Sequence, residues 1–325
     1  MTEITFRQAL QRGLREALDA DPNVFLMGED IGKYDGAYAV TQGLLEKYGP
    51  DRVRDTPISE AAFVGAGVGA AVAGLRPVVE LMSMSFSLVA SDQIVNMAAK
   101  IRYMSGGQLN VPMVLRAPTG GGVQLAATHS QSFENWYASV PGLKVVTPST
   151  PYDALGLLRS SIEDDNPVVF AENALLYATR GDVPDEEYRV PIGVADVKRI
   201  GTDITLVGWA HGIVTLMAAA EKLAETGVSA EVVDLRSLRP LDMETVVESV
   251  EKTGRALVLD ENWRTAGFGA ELAAEIGYRS SDYLDGPVAR VSGTDTPSPY
   301  SRPLEQLGIP QVSWVIDEIE KTYGI

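Results

Sequence analysis

Short apolar runs alternate with longer stretches of helical period along almost the whole chain, and this alternation limits the possible folds more than any other feature. Phe6 to Ala20 reads as an amphipathic helix and Asn23 to Met27 as a buried strand. A helix over 60–73, a strand over 77–81, a helix from Asp92 to Tyr103 and a strand over 113–116 follow. Val145-Val146 is a further strand. Thr150-Pro151-Tyr152-Asp153 then opens a helix, with a capping hydroxyl, a proline at the first helical position and an acid three residues on. Pro167 to Ala171 closes this first series. Strands that alternate with helices predict an α/β fold with a parallel sheet covered on both faces.

The pattern breaks between about Thr179 and Lys198. Gly181-Asp182-Val183-Pro184-Asp185-Glu186-Glu187 is charged, rich in turn formers and without period, so it reads as a linker. A second α/β series follows: strands over 204–208, 230–234, 256–260 and 288–291, helices over 212–226, 242–252 and 267–277, and a last helix from about Val312 to Tyr323. The expected organisation is a first domain over 1–180, a linker over 181–199 and a second domain over 200–325.

Composition excludes several classes of function. A net charge of −17 argues against nucleic acid or an anionic membrane surface as a main partner. The chain has no Cys, and therefore no disulfide, no thiolate nucleophile and no Cys-ligated metal. No run approaches the roughly 20 apolar residues that span a bilayer, and Met1-Thr2-Glu3-Ile4-Thr5 is neither basic nor apolar in the manner of a signal peptide. The expectation is an acidic cytoplasmic protein.

The most informative local stretch is Asp55-Thr56-Pro57-Ile58-Ser59-Glu60, which delivers a carboxylate to the start of a glycine- and alanine-rich helix with Ser59 as N-cap. The helix dipole favours an ionised acid there, although most first-turn acids do nothing else. Gly65-Ala66-Gly67-Val68-Gly69 only loosely fits a dinucleotide fingerprint, since no strand runs into it, and a closely packed helix is the better reading. Gly120-Gly121-Gly122 lacks the Gly-Lys-Ser/Thr ending of a phosphate loop and reads as a flexible loop beside a site. There are only two histidines. His129 follows that loop, where an imidazole can move protons near neutral pH. His211 lies at a strand–helix junction in the second series and reads as structural.

The ordered set of motifs resembles the β subunit of the E1 component of 2-oxoacid dehydrogenase complexes, the thiamine-diphosphate-dependent decarboxylases. The motifs include Asp35-Gly36-Ala37-Tyr38, Asp55 to Glu60, Gly74-Leu75-Arg76-Pro77, Asp92 to Asn96 and Tyr103 to Gly107. They continue through His129-Ser130-Gln131-Ser132, Pro141 to Val146, Asp165 to Val168, Val233 to Arg236 and Leu238 to Asp242. The resemblance implies a transketolase-like pyrimidine-binding domain followed by a transketolase C-terminal-type α/β domain. It implies that Glu60 pairs with a ring nitrogen of the cofactor's aminopyrimidine, that Phe86 packs on that ring, and that Ile58 approaches it. It also implies that His129 serves proton transfer and the passage of the acyl group to a lipoyl arm. A structural K⁺ site is implied at Met113, Ser161, Ile162, Asp164 and Asn166.

The motif that holds diphosphate and Mg²⁺ in thiamine enzymes begins Gly-Asp-Gly, and that triplet occurs nowhere in the chain. The resemblance therefore implies a separate α subunit that supplies this half of the site in an α₂β₂ tetramer. It also implies an E2 acyltransferase, with lipoyl and subunit-binding domains, as a further partner. The expected reaction is oxidative decarboxylation of pyruvate with reductive acylation of a lipoyl domain. Branched-chain 2-oxo acids and acetoin stay open as substrates. A noncatalytic scaffold is the alternative from another class, and the intact Glu60 and His129 argue against it.

Overall fold

The computed structural model describes residues 1–325. Its strands are β1 (Thr2–Thr5), β2 (Val24–Gly28), β3 (Val53–Asp55), β4 (Arg76–Glu80), β5 (Val114–Thr119), β6 (Lys144–Val146) and β7 (Val168–Asn173). They continue with β8 (Arg180–Val183), β9 (Asp196–Arg199), β10 (Ile204–Gly208), β11 (Ala230–Asp234), β12 (Ser237–Arg239), β13 (Ala256–Trp263) and β14 (Ala289–Gly293). Two large sheets result, a seven-stranded one in the order β12-β6-β7-β5-β4-β2-β3 and a five-stranded one in the order β14-β13-β10-β11-β9. Within each, every pairing is parallel except at the edge strands β12 and β9. Strands β2, β10 and β11 are buried along their whole length because helices cover both faces, as parallel sheets require.

Helix Phe6–Ala20 starts at a reciprocal cap in which the Thr5 hydroxyl accepts from the Gln8 amide and the Gln8 side chain accepts from the Thr5 amide. Helix Pro151–Glu163 starts at Thr150, whose hydroxyl accepts from the Asp153 amide. The glycines of helix Glu60–Val72 serve close packing: a Cβ on Gly67 would lie 2.7 Å from a Val79 methyl carbon of β4.

Three features differ from the sequence expectations. The helix expected from Asp92 to Tyr103 is a π-helix over Gln93–Ala98 followed by a short α-helix over Ile101–Met104. The break falls where the Pro141-Gly142 turn packs: Lys100 Nζ donates to Pro141 O, and Gly142 abuts Ala99 O. The stretch 181–199 is not free of structure, since β8 pairs with β1 at one end and β9 edges the second sheet at the other. Finally, β12 leaves the second half of the chain to pair antiparallel with β6 of the first sheet. A single cluster of 38 buried residues runs from Val79 and Leu115 to Val207 and Val233, so the two halves share one core instead of hanging from a tether.

Candidate active site

In a parallel sheet, functional groups gather outside the carboxyl ends of the strands. Four neighbours in the first sheet, β3, β2, β4 and β5, each deliver residues there. The turn after β3 carries Ile58 and Glu60, the chain after β2 begins with Glu29, the 3₁₀ turn Met84–Leu88 after β4 carries Phe86, and the loop after β5 carries His129. The sequence-expected residues Ile58, Glu60, Phe86 and His129 thus share one edge of one sheet.

Asp55 ties the first two of these loops together. Its carboxylate accepts from the backbone N–H groups of Gly32 at 2.6 Å and Lys33 at 3.0 Å. Glu60 is the first residue of its helix and is 6% exposed. Ser59 occupies the N-cap position but its side chain makes no capping hydrogen bond, contrary to expectation, because its backbone does not take up the extended conformation of the capped helices at Thr5 and Thr150. Ile58, two residues before Glu60, is 80% exposed.

Glu29 is the member of the site that sequence reasoning missed. It is buried, and its Oε1 has no hydrogen-bond partner. Burial first, and the neighbouring Glu60 charge second, raise its pKa from 4.5 to about 7. The two acids therefore sit close enough to feel one another. The sequence signal was an acid directly behind the buried strand end Met27-Gly28.

Phe86 is half-buried, and the His129 ring meets it edge-to-face with centroids 4.9 Å apart. His129 itself is exposed, with Nδ1 hydrogen-bonded to the Thr128 hydroxyl at 2.9 Å, so Nε2 is left for other work. The Ser83 hydroxyl caps the turn that carries Phe86, and Gln131 N donates to Ser85 Oγ at 3.4 Å, which joins that turn to the histidine loop.

The loop over 120–128 is not the flexible element that its glycines suggested. Gly122 N donates to Glu305 Oε1 at 2.9 Å, and Gln124 N donates to Glu305 Oε2 at 3.1 Å. His211 immediately precedes the helix Gly212–Glu225 of the second half of the chain. Its Nδ1 is 2.6 Å from Glu261 Oε1, whose other oxygen accepts from Asn173 Nδ2 at 2.8 Å. Burial opposes the imidazolium there, but the Glu261 carboxylate outweighs it and raises the pKa of His211. The histidine thus helps to pin the second half of the chain to the end of β7.

At the residues expected to hold K⁺, cations of the protein are already present. Arg76 Nη1 donates to Ile162 O at 3.0 Å and to Asp164 O at 3.2 Å, Lys144 pairs with the Asp164 carboxylate, and Met113 O accepts from Val168 N.

The residues present fit a thiamine head group. An aminopyrimidine offers ring nitrogens and an amine, and the pocket offers two buried carboxylates, one with an oxygen that nothing in the chain satisfies. Comparison with known proteins identifies the family. Residues 2–179 match the transketolase pyrimidine binding domain and residues 193–315 the transketolase C-terminal domain. The chain is 50% identical over 318 residues to the mitochondrial pyruvate dehydrogenase E1 component subunit beta-1 of Arabidopsis thaliana, covering 97% of this chain and 88% of that protein. It is 47% identical over 319 residues to the pyruvate dehydrogenase E1 component subunit beta of Rickettsia bellii, with 98% of each chain covered. Among solved structures, a split-gene transketolase described as an inactive beta4 tetramer superposes with a TM-score of 0.79 at 22% identity, over 99% of this chain and 98% of that one, which speaks for the fold alone.

Proposed function

This chain belongs to the family of pyruvate dehydrogenase E1 β subunits, and on that premise we propose that it carries the pyrimidine-side half of a thiamine-diphosphate site for the oxidative decarboxylation of pyruvate, with transfer of the acyl group to a lipoyl domain of E2. The observation that carries the reading is the convergence of Glu60, Glu29, Phe86 and His129 at one sheet edge whose open side is rimmed by the bare Ile58.

Thiamine diphosphate, when bound, supplies a carbon nucleophile for the keto group and a sink for the electrons left by decarboxylation. Glu60 offers a buried carboxylate to a protonated pyrimidine nitrogen, a charge-assisted contact that is strong because water is excluded. Glu29, whose pKa burial and then the Glu60 charge raise to about 7, can hold a proton close to neutral pH beside it. Phe86 provides a flat apolar wall and Ile58 a second apolar contact. His129, at the mouth, holds or moves a proton at Nε2 as the two-carbon unit passes to the lipoyl disulfide, whose S–S bond accepts the two electrons: one sulfur takes the acyl group and the other becomes a thiol.

The Gly-Asp-Gly motif is absent, so a partner α subunit is proposed to hold the diphosphate and Mg²⁺ in an α₂β₂ tetramer. A K⁺ at the carbonyls of Met113, Ser161, Ile162, Asp164 and Asn166 enters the proposal only as a structural ion, because Arg76 and Lys144 already neutralise part of that corner and no catalytic step runs through it. A cytoplasmic location is part of the same proposal and rests on the cysteine-free composition; no helix is long and apolar enough to cross a membrane. The domain limits 1–180 and 200–325 are retained as functional units, with β12 as the strand that one lends to the other.

Isothermal titration tests the division of labour. The purified chain with Mg²⁺ should show no micromolar affinity for thiamine diphosphate, and the α subunit should restore binding and turnover of pyruvate in preference to branched-chain 2-oxo acids and acetoin. Micromolar binding without a partner would refute the two-subunit site.

A further inference from the structure

The loop between β5 and His129 has an unusual backbone. Gly120, Gly122, Gln124 and Ala126 have φ of +86°, +99°, +60° and +64°, and two of these are not glycine. Left-handed residues set at intervals turn successive N–H groups to one side, forming a concavity suited to an anion. The chain itself supplies such a group. It is the carboxylate of Glu305, from the short helix Arg302–Gln306 of the second domain, and it is 1% exposed. It accepts from Gly122 N at 2.9 Å and from Gln124 N at 3.1 Å, and Ser298 Oγ lies 3.5 Å from it. A Cβ on Gly121 would stand 3.7 Å from the same carboxylate, so the loop lies directly against it. Further along, Asn262 Nδ2 of the second domain donates to Ser132 O at 2.6 Å. His129 therefore lies on a segment gripped on both sides by the second domain, and no side chain of the first domain makes either grip.

We propose that Glu305 is a positioning residue: it orders the loop over 120–128 through the Gly122 and Gln124 amides, and through that loop it fixes His129 against Phe86. The inference rests on the role read for His129 above. It gives the second domain a part in the chemistry through the loop that it holds. A backbone with non-glycine residues at positive φ holds its shape only when its surroundings impose it, and here the imposing group is a buried carboxyl group whose two oxygens each accept from a loop amide.

The test uses the assembled enzyme with its α subunit and a lipoyl domain, in four forms beside wild type: Glu305→Ala, Glu305→Gln, His129→Ala and the double variant with both alanines. Hydrogen exchange over residues 120–131 is read first. Glu305→Ala should speed exchange of the 122 and 124 amides on the order of tenfold or more, as loss of a buried hydrogen-bond acceptor implies, with the rest of the first domain unchanged. Glu305→Gln, which keeps one acceptor oxygen, should lie between and serves if the alanine variant does not assemble. Two rates follow, reductive acylation of the lipoyl domain and decarboxylation with an artificial electron acceptor. Glu305→Ala should depress the first more than the second, by up to about 10²-fold as for a catalytic group misplaced by about 1 Å. The double variant should be no worse than His129→Ala, because the carboxylate acts only through the histidine. Unchanged exchange overturns the proposal, as does faster exchange with an unaltered ratio of rates, or losses that multiply in the double variant. Normal rates in His129→Ala would instead refute the role of the histidine, while the exchange result still decides by itself whether Glu305 orders the loop.

Discussion

Glu29→Gln should make the isolated chain more stable at pH 8.5 and stabilise it much less near pH 5. Glu29 is buried with an unpartnered oxygen, and its pKa is raised from 4.5 to about 7, first by burial and then by the Glu60 charge. Between those values the unfolded chain has released this proton and the folded chain still holds it. The folded state then binds more protons, so stability falls as pH rises through that window. Below the lower value the acid is neutral in both states and costs nothing; above the upper value the whole penalty is present. At about 1.4 kcal/mol per pH unit the interval sets a ceiling of about 3 kcal/mol. Solvent entering the open side of the cleft screens the Glu60 repulsion, and about 1–2 kcal/mol is the working expectation. Glutamine has nearly the same shape and no charge, and its amide can donate to Glu60.

The assay is the urea midpoint of wild type and variant at matched protein concentration from pH 5.5 to 8.5, which stays clear of the isoelectric point near 4.6. The gap between the two should widen from pH 5.5 to about 7 and then level off. An equal gap at both ends, or a variant less stable at pH 8.5, would show that Glu29 is not a strained acid. An acid kept at a cost to stability beside a second acid, in a cleft, is the pattern of a site shaped for its ligand and not for the free chain.

Two further substitutions separate site from scaffold. Glu60→Gln in the assembled enzyme should lower exchange of the cofactor's C2 proton by orders of magnitude while the fold survives, as followed by nuclear magnetic resonance of quenched samples; near-normal exchange would return Glu60 to an ordinary first-turn acid. Gly142→Ala should destabilise the first domain by about 2 kcal/mol or more, since φ is +99° and the new Cβ would fall 1.9 Å from Ala99 O, and thermal melting that matched wild type would contradict the packing of that turn on the π-helix.

What the sequence disclosed and what it withheld divide along a physical line. Strands such as 204–208 and 230–234 and the helix over 312–323 were legible because one apolar period sets each of them locally. The π-helix over 93–98 was not, since a single widened turn leaves the pattern of apolar residues close to that of an α-helix. Strand 237–239 was hidden because its partner belongs to the other domain, and no local signal names a partner. The site splits in the same way. Glu60 and His129 stand in motifs with neighbours that point to them, whereas Glu29 becomes conspicuous only when folding buries it next to Glu60. Glu305 is the extreme case: 183 residues separate it from Gly122, and on its own short helix it looks like any acid in a first turn. Its meaning comes from the amides that face it. The glycine loop was read as flexible for the same reason, since residues that permit a left-handed backbone do not disclose whether something holds them in it. Freedom in the sequence became order in the fold because a carboxylate from the second domain fills the concavity that the loop makes.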